Sequence, residues 1–434
     1  MEEVFNDSKV LEAFPLGQLD PLDPWSTRVP ALDWVEDRDY PLFYRIAFDD
    51  LANSRPLLRV LFPPLNLPNT PYAHGLLQMV RDYSIPSAFL EGPIRGVTHS
   101  FGSLDSSDGY RSAWFNYLCK NITVEDHGSG PFISDPRSGV EKTRHGDFTW
   151  IKAGFFLRWA VGSNADPHLT LLCFGGNLVQ QRLQRLSFKA VRDGVARDPL
   201  SLFVIILHEL SFQMDCTASD LSRVFGEIEY KALNLVRQRE SFTGLHNVSK
   251  HMIYLQESSE AVLMTMKNIA AYHEDLFRDA PGQSRANYQV TQTTIKQVEA
   301  EFQTIRLRLK SLDRRMQNVI ALSFHLVTQE GNELLQADSN TMATIAFVTL
   351  IFLPITTVAT IFGSEFFNTS VESSSLEISK DFWVFWACSI PLTLGVLMGW
   401  CVFRGRHPGA AFHEFFRRRA GLGKQGSGRK LSVL

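Results

Sequence analysis

The chain has 434 residues and a nearly balanced charge, with 43 Lys and Arg against 46 Asp and Glu. This length exceeds one ordinary domain and predicts two or three structural units. The net charge of −3 gives no reason to expect a nucleic acid or an acidic substrate as a partner. The five cysteines are scattered, and none has the Cys-x-x-Cys spacing of a zinc knuckle or a redox dithiol, so we expect free thiols.

The N-terminal part is predicted to be cytoplasmic. Residues 1–40 are rich in proline and aspartate without a periodic pattern, which indicates an irregular arm. The start, MEEVFNDSKV, has neither the apolar core of a signal peptide nor the Arg-rich character of a mitochondrial presequence.

Residues 41–197 alternate short apolar runs with turn residues, which predicts an α+β cytoplasmic domain. The segments 92–109 and 125–147 are rich in Gly, Ser and Asp and are predicted to be loops. Strands are predicted over 44–48, 57–62, 88–90, 148–161 and 169–174, and helices over 72–83 and 177–195.

A helical coiled-coil stalk is predicted over 198–340. Asp198 and Pro199 are typical of a helix start. The helix predicted over 245–277 and the long helix from 288 onward both carry heptad repeats, and a short Asp-Ala-Pro-Gly segment separates them, so we expect an antiparallel pair. The seam of the long helix comprises Tyr288, Ile295, Phe302, Leu309 and Met316 at one heptad position, and Val298, Ile305, Leu312, Val319 and Leu326 at the other.

Two uncharged segments near the C-terminus, 342–362 and 382–403, are each long enough to cross a bilayer. The tail, 404–434, has eight Lys or Arg against one acid, so the positive-inside rule places it in the cytoplasm. Two spans return the chain to the side it left, which predicts a two-pass membrane protein with both termini cytoplasmic. The resulting units are a first transmembrane helix (341–363), an outer loop (364–381), a second transmembrane helix (382–403) and a basic tail (404–434).

One face of the first span mixes hydroxyl groups with apolar side chains. It supports two interpretations. The hydroxyl groups line a pore for a hydrated ion, with apolar rings as a gate; or they bond their own helix or a neighbouring helix. Two spans cannot enclose a pore, so the first interpretation requires an oligomer. The face comprises Met342, Ala346, Thr349, Leu353, Thr356 and Thr360, with Asp338 at its inner end and Gly363 at its outer end.

No catalytic residue is predicted. A zincin helix needs His-Glu-x-x-His, and His208, His273 and His413 are each followed by Glu but lack the second His. We therefore expect a protein that is not an enzyme and that holds no cofactor.

Three stretches resemble the CorA-like divalent-cation transporters, and among them a divergent fungal-type branch. They are 150–176, which begins with WIKAGFFLRWA and ends with LTLLCFGG, DPLSLFVIILHEL at 198–210 and DSNTMATIAFVTLIFLPITTVATIFGSEFF at 338–367. The third is the most specific, through its Phe-Leu-Pro triplet at 352–354 and its Phe-Phe pair at 366–367.

This resemblance implies a homopentamer in the lipid bilayer, with five first-span helices around one pore. The cargo would be Mg²⁺ or a similar divalent ion moving into the cytoplasm, through the plasma membrane or an organelle membrane. The family's Gly-Met-Asn signature corresponds here to Gly363, Ser364 and Glu365, of which only the glycine is retained. Five Glu365 carboxylates would offer oxygen acceptors to the ion at the outer mouth, and Asp338 would form an inner cation ring.

A second interpretation follows from the same departure from the signature. The chain could be a membrane-tethered signalling or scaffold protein that has this architecture and does not conduct.

Overall fold

The computed structural model describes residues 27–51, 53, 55–65, 73–95, 100–106, 109–127, 130–134, 149–161, 168–233, 238–278, 285–362, 367–369, 376–378 and 382–403. The chain divides into two compact units, Met1–Ser323 and Phe324–Leu434.

The first unit contains a mixed sheet of seven strands in the order β2-β1-β3-β9-β8-β5-β4. Neighbouring strands are antiparallel except β3 and β9, which are parallel. A separate hairpin pairs β6 with β7. The strands are β1 (Arg28–Trp34), β2 (Leu42–Ala47), β3 (Leu58–Leu61), β4 (Ser100–Asp105), β5 (Tyr110–Asn121), β6 (Thr123–His127), β7 (Gly130–Ser134), β8 (Thr149–Ala160) and β9 (Leu169–Phe174).

Helices cover both faces of this sheet and continue to the C-terminal part. Those of eight or more residues are α1 (Ala73–Asp82), α2 (Ser87–Arg95), α3 (Asn177–Gln184), α4 (Ser201–Leu233), α5 (Gln238–Arg278), α6 (Arg285–Phe362) and α7 (Phe382–Phe403). Shorter helical turns lie at Phe48–Asp50, Phe188–Ala190 and Val191–Val195. Two short strands, β10 (Phe367–Thr369) and β11 (Leu376–Ile378), pair between α6 and α7.

Alternate residues of each strand enter two different cores, because successive side chains of a strand point to opposite faces. Phe155 and Leu157 pack with α3, α4 and α5 on one face. Phe156 packs with α1 and α2 on the other. The sheet is therefore buried on both faces, which explains why its central strands are apolar almost throughout.

The predicted antiparallel pairing of the two heptad helices is confirmed. The rings of Phe277 and Tyr288 stack with centroids 3.6 Å apart at one end of the pair. Further along, Lys310 Nζ lies 3.3 Å from Glu260 Oε1. The predicted seam residues of α6 from Ile295 to Val319 are buried. Helix α4 packs beside the same part of α6, where Arg308 Nη1 lies 2.7 Å from Asp215 Oδ1.

Several local predictions in the first unit were wrong. Residues 88–90 form part of helix α2 rather than a strand, and Phe89 and Leu90 are buried against the sheet. Three apolar residues do not distinguish a strand from a buried helix turn. Strand β1 lies inside the predicted irregular arm, where pairing with β2 and β3 overrides the local signals of Pro30 and Asp33, two residue types that are depleted in strands. The predicted loops contain the end of α2, β4, the end of β6 and β7, and β5 was not predicted.

A buried ion pair joins β1 to β3. Two nitrogens of Arg59 contact the two oxygens of Asp33 at 2.9 and 2.8 Å, and a third donates to the Leu51 carbonyl at 2.7 Å. Arg59 is 0% exposed. Burial opposes its charged form, but the hydrogen bonds and charge of Asp33 outweigh this and raise the pKa of Arg59. Burial and a hydrogen bond to Asp33 raise the pKa of Tyr44 to about 12.

We predict that Arg59→Met destabilises the chain by about 3–5 kcal/mol, because it leaves the Asp33 carboxylate buried without its counter-charge. Urea unfolding of the detergent-solubilised protein measures the loss. The double variant Arg59→Met/Asp33→Leu should recover most of it. Arg111→Met is the matched control, since the Arg111–Asp105 pair is partly exposed and should contribute below about 1 kcal/mol. Equal losses for Arg59→Met and Arg111→Met would contradict this account.

Candidate functional site

The apolar end of α6 packs against α7 within the second unit. The rings of Phe347 and Trp400 lie with centroids 6.1 Å apart, and Val358 is only 5% exposed. Pro354 is also buried on this side of α6. The less exposed positions of α6 recur every three or four residues, as expected for one face of a helix. They are Ala343, Phe347, Leu350, Ile351, Pro354, Ile355, Val358 and Phe362.

The predicted pore face lies on the other side of α6. At 3.6 residues per turn its centre is roughly 150° around the helix from the centre of the less exposed positions. All six residues are exposed, with Met342 at 74%. Because α7 occupies the opposite side, this face is left for lipid, water or other copies of the chain. The six are Met342, Ala346, Thr349, Leu353, Thr356 and Thr360.

The threonines of this face donate to their own helix. The hydroxyl of Thr349 bonds the Ile345 carbonyl at 2.9 Å, and that of Thr356 bonds the Phe352 carbonyl at 3.0 Å. Thr360 bonds the Thr356 carbonyl at 2.7 Å. A hydroxyl that donates its hydrogen in this way still has lone pairs free to accept. The two interpretations of the threonine face are therefore compatible within one helix.

Pro354 has a structural role at the helix contact. Proline has no N–H, so the carbonyl of Leu350 loses its helical donor at this turn. Membrane helices tolerate such a break where a neighbouring helix covers it. Pro354 is buried and does not lie on the predicted pore face.

The predicted cation ligands fall into two groups. Asp338 is exposed on α6. No group of three or more His, Cys, Asp or Glu that could hold a metal occurs in the described ranges, so Asp338 would need equivalents from other copies to form a site. Gly363, Ser364 and Glu365 lie outside the described residues.

The two C-terminal helices leave most of their apolar surface uncovered. Both are long and apolar enough to cross a membrane by length and composition, and only 11% of the most apolar window of each is buried. Exposed apolar surface of this extent indicates a lipid or protein partner.

The His-Glu pairs of the stalk make helix contacts. His273 Nε2 lies 2.8 Å from Asp198 Oδ2, and its ring stacks on Tyr288 at 4.6 Å. These contacts join the start of α4 to α5 and α6. His208 Nε2 lies 3.7 Å from Glu301 Oε1. The two histidines thus make contacts between neighbouring helices.

The comparison with protein families identifies the class of protein. Residues 170–404 match the model described as CorA-like Mg²⁺ transporter protein, which is more than half of the chain. The chain belongs to this family, whose members are integral membrane transporters of divalent cations and not enzymes. The resemblance predicted from the sequence is confirmed, and so is the fold class, an α/β N-terminal domain followed by a long helix and two C-terminal apolar helices.

One curated relative is the Notoamide biosynthesis cluster protein M' of Aspergillus versicolor, 34% identical over 165 residues. The match spans 36% of this chain and 36% of that protein.

Two solved structures are similar at low identity. The CorA magnesium transporter of Methanocaldococcus jannaschii is 14% identical, with 85% of this chain and 96% of that chain covered and a TM-score of 0.40. The full-length CmaX protein is also 14% identical, with coverage of 90% and 99% and a TM-score of 0.42.

The sequence alone did not show which side of α6 contacts α7. The signal was present, because Phe347, Pro354 and Val358 recur at helical spacing opposite the threonines. An uncharged helix is apolar on nearly every side, so periodicity alone does not tell which side meets protein.

Proposed function

We propose that copies of this chain, five in the arrangement that the resemblance implies, surround a pore that conducts Mg²⁺ into the cytoplasm. The observation that carries this proposal is the exposed threonine face of α6, turned away from α7 in a chain of the CorA-like family. In a ring of copies, α7 of each chain would lie outside and the threonine faces would meet around the axis.

The chemistry of the face suits a hydrated cation. Mg²⁺ dehydrates reluctantly, so it presents the hydrogens of its bound waters to a pore wall. Those waters need acceptors. The hydroxyl oxygens of Thr349, Thr356 and Thr360 qualify, because each has its own hydrogen held by a backbone carbonyl and offers lone pairs outward.

Apolar rings at Met342 and Leu353 would serve as the gate. Both side chains are exposed on the same face as the threonines. A narrow ring of apolar side chains excludes water when it closes and thereby blocks a hydrated ion.

Acidic rings at the two mouths would concentrate the cation. Glu365 takes the outer position, in place of the asparagine of the family signature, and Asp338 takes the inner position. A carboxylate ring binds a divalent ion more strongly than an amide ring and discriminates less between ions. We therefore expect weaker selectivity for Mg²⁺ over other divalent ions than an asparagine ring would give.

The distribution of charge assigns the remaining segments to the two sides of the membrane. We assign 364–381 to the outer side, and both 404–434 and the N-terminal domain to the cytoplasm, because the basic tail directly follows a span. The basic tail would also contact anionic lipid at that surface.

A second candidate function is a membrane-tethered signalling or scaffold protein without conduction. The replacement of Met-Asn by Ser364-Glu365 in the signature favours it. The name of the Aspergillus versicolor relative refers to a biosynthesis cluster and not to transport.

Growth of a magnesium-uptake-deficient cell at low Mg²⁺ separates the two candidates. Expression of this chain should restore growth, and Glu365→Ala should reduce the rescue because it removes the outer ring. Glu365→Asn should retain rescue, since the amide still accepts hydrogen bonds from the hydrated ion. Glu372→Ala, in the same connector, is the matched control and should leave growth unchanged. Absence of rescue by a correctly inserted wild-type chain, or a detergent-solubilised particle with the mass of one chain, would favour the tethered protein.

Two adjacent threonines test the hydroxyl face directly. Thr356 and Thr357 both donate to carbonyls of the preceding turn, but only Thr356 lies on the predicted pore face. In proteoliposomes, Thr356→Val should lower the Mg²⁺ flux several-fold, because five acceptor oxygens leave the pore wall. Thr357→Val should leave the flux close to that of the wild type. Equal effects of the two substitutions would contradict the assignment of the face.

A further inference from the structure

The part of α6 before its uncharged span has an apolar side that a single chain leaves uncovered. Four apolar residues there are exposed, with Phe324 at 71%. At 3.6 residues per turn they fall within an arc of roughly 100° around the helix. We call them the stalk stripe: Phe324, Val327, Leu334 and Leu335.

The opposite side of the same segment is polar. Gln329, Glu333 and Gln336 are exposed there, and Gln329 Nε2 donates to Glu333 Oε1 at 3.3 Å. A helix with one apolar and one polar side packs its apolar side against a partner and leaves the other in water. The segment therefore has the pattern of a partnered helix, and the partner is not part of the same chain.

The stalk stripe lies on the same side of α6 as the predicted pore face. Met342, the first residue of that face, follows Phe324 by five whole turns at 3.6 residues per turn, so the two side chains leave the helix in the same direction. Copies of the chain that meet through their threonine faces would therefore also turn their stalk stripes toward one another.

Lipid does not suit the stalk stripe. Phe324 precedes the uncharged span, which begins at Met342, by about 27 Å of helix. The charged residues Glu333 and Asp338 lie between them. A helix that crosses the bilayer with its uncharged span therefore holds Phe324 outside the hydrocarbon core.

A second copy of the chain suits it better. In a cyclic assembly around one axis, identical residues lie at the same height, so a charge on the inner side would face its own kind. None of the four residues of the stalk stripe is charged. The stripe is thus complementary to itself, which a partner with a charged surface would not require.

We propose that copies of this chain contact one another outside the membrane through the stalk stripe of α6. The inference rests on the assembly of copies in the proposed function and not on conduction. The Phe324 rings would pack together and hold the α6 helices parallel and in register. The threonine faces of the copies would then lie at equal heights.

Cross-linking of the full chain in native membranes tests the proposal. Phe324→Cys and Gln329→Cys are made in a chain whose Cys216, Cys388 and Cys401 are replaced by serine, and the membranes are treated with a short bis-maleimide. Phe324→Cys should give several-fold more covalent dimer than Gln329→Cys, because position 329 is exposed but lies roughly 140° around the helix. Equal yields of dimer from the two variants would overturn the proposal.

A second measurement compares the same charge on the two sides of the helix. Phe324→Asp should dissociate into single chains at a lower detergent concentration than the wild type, because the carboxylates of neighbouring copies repel one another. Gln329→Asp is the matched control and should dissociate like the wild type, as should the apolar replacement Phe324→Leu. Equal dissociation of the two aspartate variants would overturn the proposal.

Failure of this contact is distinguishable from failure of conduction. Preferential cross-linking of Phe324→Cys in a chain that does not restore growth at low Mg²⁺ would support the contact and remove the pore. Mg²⁺ flux through the wild type without preferential cross-linking of Phe324→Cys would overturn the contact and leave the pore in place.

Discussion

The structure depends on a partner for the apolar surface of α6 and α7, because a single chain leaves most of that surface exposed. Helices α6 and α7 pack against each other along a single stripe, and only 11% of the most apolar window of each is buried. In water, exposed apolar surface of this extent would drive association or aggregation. In the proposed assembly, a bilayer and further copies of the chain would together provide the partners. The side of α6 opposite α7 is therefore available for the axis of an assembly, and this side carries the threonines.

The first unit has a different source of stability. Its sheet is buried on both faces, and its two cores are separated by the alternation of side chains along each strand. Arg59 lies in this sheet as part of a charged pair with Asp33. A buried pair of this kind contributes little net stability but leaves a costly charge when one partner is lost. Asp33 and Arg59 therefore depend on each other to fix β1 against β3.

The long helices of the chain could be predicted from its sequence. The α6 seam and the two spans are periodic or uncharged over many residues, so helix period and bilayer thickness determine them. The short elements could not. Strand β1 and helix α2 depend on neighbours that are distant in sequence, and the run 88–90 is too short to have a period. The ion pair of Asp33 with Arg59 joins two strands whose pairing is not visible locally.

The candidate pore face was predictable because hydroxyl and apolar residues recur at helical spacing. The direction of that face relative to α7 was not, since an uncharged helix is apolar on nearly all sides. The hydroxyl hydrogen bonds also change the interpretation of the threonines. Bonding to the previous turn does not compete with a pore role, because it orients the oxygen lone pairs outward, where a hydrated cation needs acceptors.

The most direct measurement of the central claim is the aqueous accessibility of position 356 in the assembled protein. Thr356→Cys and Val358→Cys are made in a chain whose Cys216, Cys388 and Cys401 are replaced by serine, and proteoliposomes are treated with a charged, membrane-impermeant thiol reagent. The account predicts rapid labelling of Thr356→Cys, slowed by Mg²⁺, and little labelling of Val358→Cys, because Val358 is buried. Protection of Thr356→Cys from the reagent, to the same degree as Val358→Cys, would contradict it.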